Sequence, residues 1–166
     1  MAEVTYYYNA WDIGIEWNIT PENMVDGNIS TFAHEGVDGS AQLNDGNTCP
    51  IGVDLGEITK VEIRIYGYID DAGTDSIDFR TFYDGKLGPT NITNLGITPG
   101  WSDYYDVTEH KSAPDIWTWP DIQTTTTWIR SNVGAGNAAS VSKVEIRVTY
   151  TEATSSKCGL PLTIRT

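Results

Sequence analysis

The residues best suited to chemistry lie in one short stretch, Asn23-Met-Val-Asp-Gly-Asn-Ile-Ser-Thr31. Asp26, Asn28 and Thr31 bring three short oxygen-bearing side chains within six residues. Gly27 lets the backbone turn tightly enough for them to converge. A hard cation such as Ca²⁺ takes about six to eight oxygens, with backbone carbonyls and at least one carboxylate among them. The stretch offers half of that shell, and a further carboxylate has to come from elsewhere in the chain. The other reading is an Asx-type turn in which Asp26 and Asn28 bond their own backbone. The residues alone leave both readings open.

Other chemistries find less support. A hydrolase needs two carboxylates held at different pKa values, and none of the acidic residues sits in a motif that would do this. The only histidines, His34 and His110, fall in no metalloprotease motif, and no serine carries a nucleophile-elbow sequence. No glycine loop of the phosphate-cradling kind precedes a helix. The expectation is a protein that is not an enzyme. Sugar binding needs aromatic faces for a pyranose and a few polar groups to fix its hydroxyls. Trp101, Tyr104, Trp117 and Trp119 lie in polar, loop-like surroundings and can supply the faces, with Arg80 and His34 as donors. The same aromatics also suit a sandwich core.

These residues need a scaffold, and period-two alternation says what it is. Val61-Glu-Ile-Arg-Ile65 and Val144-Glu-Ile-Arg-Val148 alternate apolar and charged positions, the mark of a strand with one buried face. Strands are expected over 3–8, partly over 11–17, and over 51–69, 77–83, 91–99, 123–130 and 142–151. Asp84-Gly85 is a hairpin signal. The segment 31–45 is polar with two glycines and is expected to bury little. The segment 113–120, with Trp117-Thr-Trp119 between two prolines, is expected to be a loop. No amphipathic helical run of ten or more residues occurs. Eight or nine short strands predict an all-β, jelly-roll β-sandwich over 1–153, followed by a tail over 154–166. In that tail Leu160, Leu162 and Ile164 alternate, as in an extra edge strand or a segment that adds to a neighbour's sheet. Cys49 and Cys158 either clamp the tail to the body or stay as two thiols.

A net charge of −13 repels nucleic-acid phosphates and anionic lipid while favouring cations. Neither nucleic-acid binding nor membrane insertion is expected: no run approaches the ~18 apolar residues a membrane helix needs. The first residues hold no basic region and no apolar signal core, so no export signal is expected at this N-terminus.

The order of these features resembles the discoidin-like, or coagulation-factor type C, family of galactose-binding-like domains, which includes bacterial carbohydrate-binding modules. The resemblance runs from Asn23 to Thr151. It is carried by Met24-Val-Asp-Gly-Asn-Ile-Ser-Thr31, Val53-Asp-Leu-Gly-Glu-Ile-Thr-Lys-Val61, the segment 79–86, Trp128-Ile-Arg130 and Val144-Glu-Ile-Arg-Val148. Where the family often has Trp soon after the Thr, Phe32-Ala33 stands here. The resemblance implies a structural Ca²⁺ held by the Asn23 carbonyl, Asp26, Asn28, Thr31, the Val144 carbonyl and the Glu145 carboxylate. It also implies ligand loops at one end of the sandwich. The function so expected is a calcium-stabilised recognition domain, extracellular or on a particle surface, that binds a glycan or another cell-surface ligand. The rival expectation is a structural subunit of a particle or appendage that self-associates or meets its neighbour through the tail.

Overall fold

The computed structural model describes residues 1–12, 17–83, 86–110 and 116–153. Within them the chain forms β1 (Ala2–Trp11), β2 (Ala33–Glu35), β3 (Ala41–Asn47), β4 (Gly56–Ile69), β5 (Ser76–Tyr83) and β6 (Lys86–Leu87). Then come β7 (Asn91–Ile92), β8 (Gly100–Trp101), β9 (Tyr105–Asp106), the helix α1 (Trp119–Thr124), β10 (Thr126–Asn132) and β11 (Ala139–Glu152). The strands build the two-layered β-sandwich expected from the alternation. The tail, with Cys158, and the Asp84-Gly85 turn lie outside the described residues, whereas Cys49 is a buried residue of the core.

The first layer is β1–β11–β4, with β2 on β11 and β8 and β9 on β4. The second layer is β3–β10–β5, with β6 and β7 on β5. β1 belongs to both: its first six residues pair with β11 from Ala2↔Tyr150 to Tyr7↔Glu145, and Tyr8 to Trp11 pair with β3. Alternation sets which side chains point inward. Ile63, Ile65, Ile146 and Val148 from the first layer meet Ile77, Phe79 and Ile129 from the second, all fully buried. Burying each aliphatic side chain of this size contributes about 1.5–3 kcal/mol. The residues between them, Glu62, Arg64, Glu145 and Arg147 on one layer and Asp78, Arg80, Trp128 and Arg130 on the other, face outward.

Two segments depart from expectation. The stretch 31–45 forms β2 and most of β3 and buries Ala33, Glu35, Gln42 and Asn44 completely. Here polar side chains fill the interior because they satisfy an irregular backbone. The Glu35 carboxylate accepts from Asn18 N at 3.0 Å and Val37 N at 2.7 Å. Gln42 accepts from Trp17 N and donates to the carbonyls of Asp12 and Leu43. Composition cannot reveal such pairing. The second departure is α1, which starts inside the expected 113–120 loop and takes Gln123 from the expected strand. Thr118 caps it: the Asp121 carboxylate accepts from Thr118 N at 2.8 Å, and Asp121 N donates to Thr118 Oγ1. Thr118-Trp-Pro-Asp121 is a reciprocal capping pattern with proline in the first turn, and it was readable in the sequence. The weak strand expected over 91–99 reduces to the two residues of β7.

Gly56 opens β4 at φ +125°, in backbone space open essentially to glycine. A Cβ there would lie 2.0 Å from the Thr151 carbonyl oxygen. Gly56→Ala is expected to cost about 3 kcal/mol or more in urea unfolding. Gly96→Ala, where a Cβ meets nothing within 4 Å, serves as a near-neutral control.

Asp75 ties the turn after β4 to the start of β11. Its carboxylate accepts from Gly134 N at 2.8 Å, Asp71 N at 3.0 Å and Asn137 Nδ2 at 3.2 Å. These donors, the Gly134 amide first, hold its pKa below the usual carboxylate value. A depressed folded-state pKa adds stability above the unfolded value and loses it as pH falls through the folded one. Asp75→Asn is therefore expected to lower the melting temperature at neutral pH and to flatten its decline below about pH 4, read by calorimetry across pH.

Candidate functional site

The loop singled out by its oxygens folds as an Asx-type turn. Asn28 N donates to Asp26 Oδ1 at 2.7 Å, and Thr31 Oγ1 donates to Asp26 Oδ2 at 2.6 Å and lies 3.0 Å from the Asn28 carbonyl. Gly27 adopts φ +76°, and a Cβ on it would sit 3.0 Å from the Tyr7 ring, so glycine is needed both for the turn and for the close approach. A register shift between Val141 and Lys143 puts a bulge in β11 at Ser142. The Ser142 hydroxyl donates to the Asn28 carbonyl at 2.9 Å, which docks the loop on β11. Asp26 and Thr31 thus meet through their side chains, while Asn28 joins them through its backbone and its own side chain accepts from Ser30 N at 3.0 Å.

Two of the remaining implied ligands are backbone carbonyls: Asn23 lies at the base of the loop, where its side chain donates to the Phe32 carbonyl at 3.0 Å, and Val144 lies in β11 opposite Ile65. Glu145 faces outward on the loop's side of the layer, but its carboxylate is engaged: Arg64 donates to Oε2 through Nε at 2.9 Å and Nη2 at 2.8 Å, and Lys143 Nζ lies 3.2 Å from Oε1. Lys143 Nζ also stands 4.6 Å over the Tyr7 ring, the same ring that Gly27 presses on. Lys143 Nζ therefore lies between the Glu145 carboxylate and the ring on which the loop rests. As arranged, the carboxylate that would close the implied Ca²⁺ set is held by two cationic side chains. Among the described residues no group of three or more His, Cys, Asp or Glu side chains converges as a metal cluster would.

The expected sugar contacts divide into three groups. Trp117 and Trp119 are corrected to core residues. Each keeps about a twentieth of its surface exposed, and their indole N–H groups donate to the carbonyls of Thr108 at 3.3 Å and Gly56 at 2.7 Å. Trp119 turns inward on the first turn of α1, and Trp117 turns inward from the segment just before the Thr118 cap. His34, Trp101 and Tyr104 gather on the outer face of the first layer. The Arg64 guanidinium lies 3.9 Å from the Trp101 ring centre and 4.5 Å from that of Tyr104, and Arg147 lies 3.7 Å from Tyr104. Arg147 bonds Glu62 at 2.7 Å, and His34 Nδ1 meets Ser140 Oγ at 2.7 Å. Arg64, Lys143 and Arg147 each have both a ring and a carboxylate, and Lys60 pairs with Glu62, so the described cations of this face are already engaged.

Arg80 lies on the opposite side of the molecule, in a cleft of about 340 Å³ on the outer face of the second layer. Gly39, Ala41, Arg80, Leu87, Trp128 and Arg130 line it, with Asp78 and Phe79 beneath. The register sets the layout: Trp128 pairs with Leu43 on one side and Arg80 on the other, and Arg130 pairs with Ala41 and Asp78. Asp78 is buried and ion-paired to Arg130 through Oδ2, while its Oδ1 and the Trp128 indole N–H have no hydrogen-bond partner. Trp128 and Arg130, which line this cleft, are not among the contacts expected from the sequence. The signal was present: in Thr127-Trp-Ile-Arg-Ser131 alternation places Ile129 in the core and so puts Trp128 and Arg130 on the outer face.

No protein-family model matches the sequence, and no curated protein matches it. Among solved structures the chain is similar to the CBM36-1 domain of a multidomain xylanase from the hindgut metagenome of Trinervitermes trinervoides, at 9% identity and a TM-score of 0.45, over 87% of this chain and 96% of that one.

Proposed function

We propose that this domain is a non-catalytic glycan-recognition module whose ligand lies in the cleft on the second layer. One observation carries the reading: a half-exposed indole, Trp128, flanked across the strands by a guanidinium and bordered by the aliphatic Leu87. A pyranose has one face of C–H groups that stacks on such a ring and a rim of hydroxyls that an adjacent guanidinium can bond. The cleft lies on strands, so the platform is rigid before the ligand arrives, which lowers the ordering cost of binding. Hydrolysis is not supported. Among the described residues Asp78 is the one carboxylate lining the cleft and is already paired with Arg130, and none of them offers a second acid or base for the general acid–base pair that glycosidic cleavage needs.

The expected outcome is that a glycan array returns a defined subset of binders and that Trp128→Ala weakens them at least about tenfold, the usual worth of one stacked aromatic. The melting temperature should fall by only a few degrees, because the ring is on the outer face. Trp101→Ala should leave binding within about threefold. An array with no binder sinks the reading, and loss of binding with Trp101→Ala and not with Trp128→Ala moves the site to the first layer.

The calcium question receives a related proposal: Lys143, with Arg64, supplies the positive charge that closes Glu145 against the loop, and no ion is required. An ion bound at about a hundred times its Kd would add about 2.7 kcal/mol of stability. For a domain of this size that raises the melting temperature by about 5–10 °C. The expected result is melting in EDTA and in millimolar calcium that agrees within about 1 °C, with Lys143→Met melting lower than the parent in both. A rise of several degrees with calcium in the unaltered chain overturns this and restores the six-ligand cage.

A further inference from the structure

We propose that the ligand of the second-layer cleft is an acidic glycan, one that carries a uronic-acid carboxylate, and that Arg80 is the residue that reads that charge. The inference rests on the reading of the cleft as a glycan site and narrows it.

The chain has 23 acidic residues against 10 basic ones, so a cation rarely lacks a partner. Lys60 pairs with Glu62, Arg64 and Lys143 with Glu145, Arg130 with Asp78, and Arg147 with Glu62. Among the basic residues whose side chains are described, Arg80 stands apart, with no ion pair, hydrogen bond or ring contact to the rest of the domain. Its position accounts for this. On β5 it projects from the middle of the outer face, opposite Trp128 in the register, and Asp78, the carboxylate two residues before it, is taken by Arg130. With one carboxylate against two guanidinia, the described lining of the cleft carries a net positive charge on a strongly negative molecule.

A free guanidinium beside an indole suits one kind of sugar best. Neutral hydroxyls would use it as a donor only. A carboxylate uses two parallel N–H groups and the charge together, in the planar geometry that guanidinium and carboxylate share. A uronic acid carries its carboxylate at the rim of the ring, so a pyranose stacked on Trp128 presents it sideways toward the neighbouring strand, where Arg80 stands. The walls of the cleft exclude part of the solvent and strengthen the attraction relative to open water. The long-range field of the domain opposes anions, and at physiological salt it is screened within about 8 Å, so the local pair decides.

The test is calorimetric titration of the intact chain with oligogalacturonide, alginate and glucuronoxylan fragments, each beside its carboxyl-reduced, neutral counterpart. At least one acidic fragment is expected to bind about 10- to 100-fold tighter than its neutral form, the span of a charge-assisted hydrogen bond. Arg80→Gln is expected to erase that preference without moving the melting temperature, since the side chain holds nothing else in place, and Arg80→Lys to keep part of it. Affinity for the acidic fragment should fall as salt rises. Equal binding of acidic and neutral forms, or a preference that survives Arg80→Gln, overturns the acidic assignment and leaves glycan recognition standing. Absence of binding to every acidic and neutral fragment here and to every glycan on an array overturns both.

Discussion

The rest of the molecule depends on the pairing of β4 with β11. The two long strands run antiparallel from Ala139↔Ile69 to Glu152↔Gly56, and outside the irregularities at Ser142 and Thr59 each side chain of one is held opposite a fixed partner on the other. On the inner face this sets Ile63 beside Ile146 and Val61 beside Val148, and an apolar sheet of that kind must find a second layer to cover it. On the outer face the same register sets Arg64 against Glu145 and Glu62 against Arg147. A slip of one residue would exchange the faces and bury four charges, so the hydrophobic pattern and the ionic pattern enforce each other.

That outer ladder explains why the more aromatic face is the quieter one. The rings of Trp101 and Tyr104 lie against guanidinia, and each guanidinium is bonded to a carboxylate. Stacking and ion pairing of this sort stabilise a surface by a few tenths to about 1 kcal/mol per contact. They also consume the donors that a ligand would need. The second layer has fewer aromatics and looser accounts: an unpaired guanidinium, an indole N–H and a carboxylate oxygen without partners. Buried polar groups of that kind are uncommon in folded proteins and tend to mark places where something else completes the pairing.

How far the sequence could be read follows from the range of each signal. Strand placement rests on side chains two residues apart, and both Val61-Glu-Ile-Arg-Ile65 and Ser142–Thr151 fold as their alternation indicates. The Asp26 turn is equally local, since Gly27 and three oxygen-bearing side chains shape it within six residues. Glu145 was legible as an outward strand residue, but its partner was not, because Arg64 is set opposite it by register alone, at a separation of 81 residues. Trp117 and Trp119 looked like loop aromatics because their neighbours are polar; the helix cap between them is a four-residue pattern easily passed over beside two prolines. The cleft itself could not be read at all. Its walls come from β3, β5, β6 and β10, and only the order of strands in the layer brings them side by side.

The first strand has one further consequence. Ala2 is paired with Tyr150, and a few residues later the same strand crosses to join Asn44 through Trp11. On a ribosome that segment emerges well before β11, its partner, and must wait for it before it can be placed. Neither layer is complete without it, so assembly is dominated by contacts distant along the chain and falls in the slow regime for such topologies. The unpaired edge of β1 is open to other chains during that wait, and the acidity of the sequence gives nascent copies a mutual repulsion over that interval.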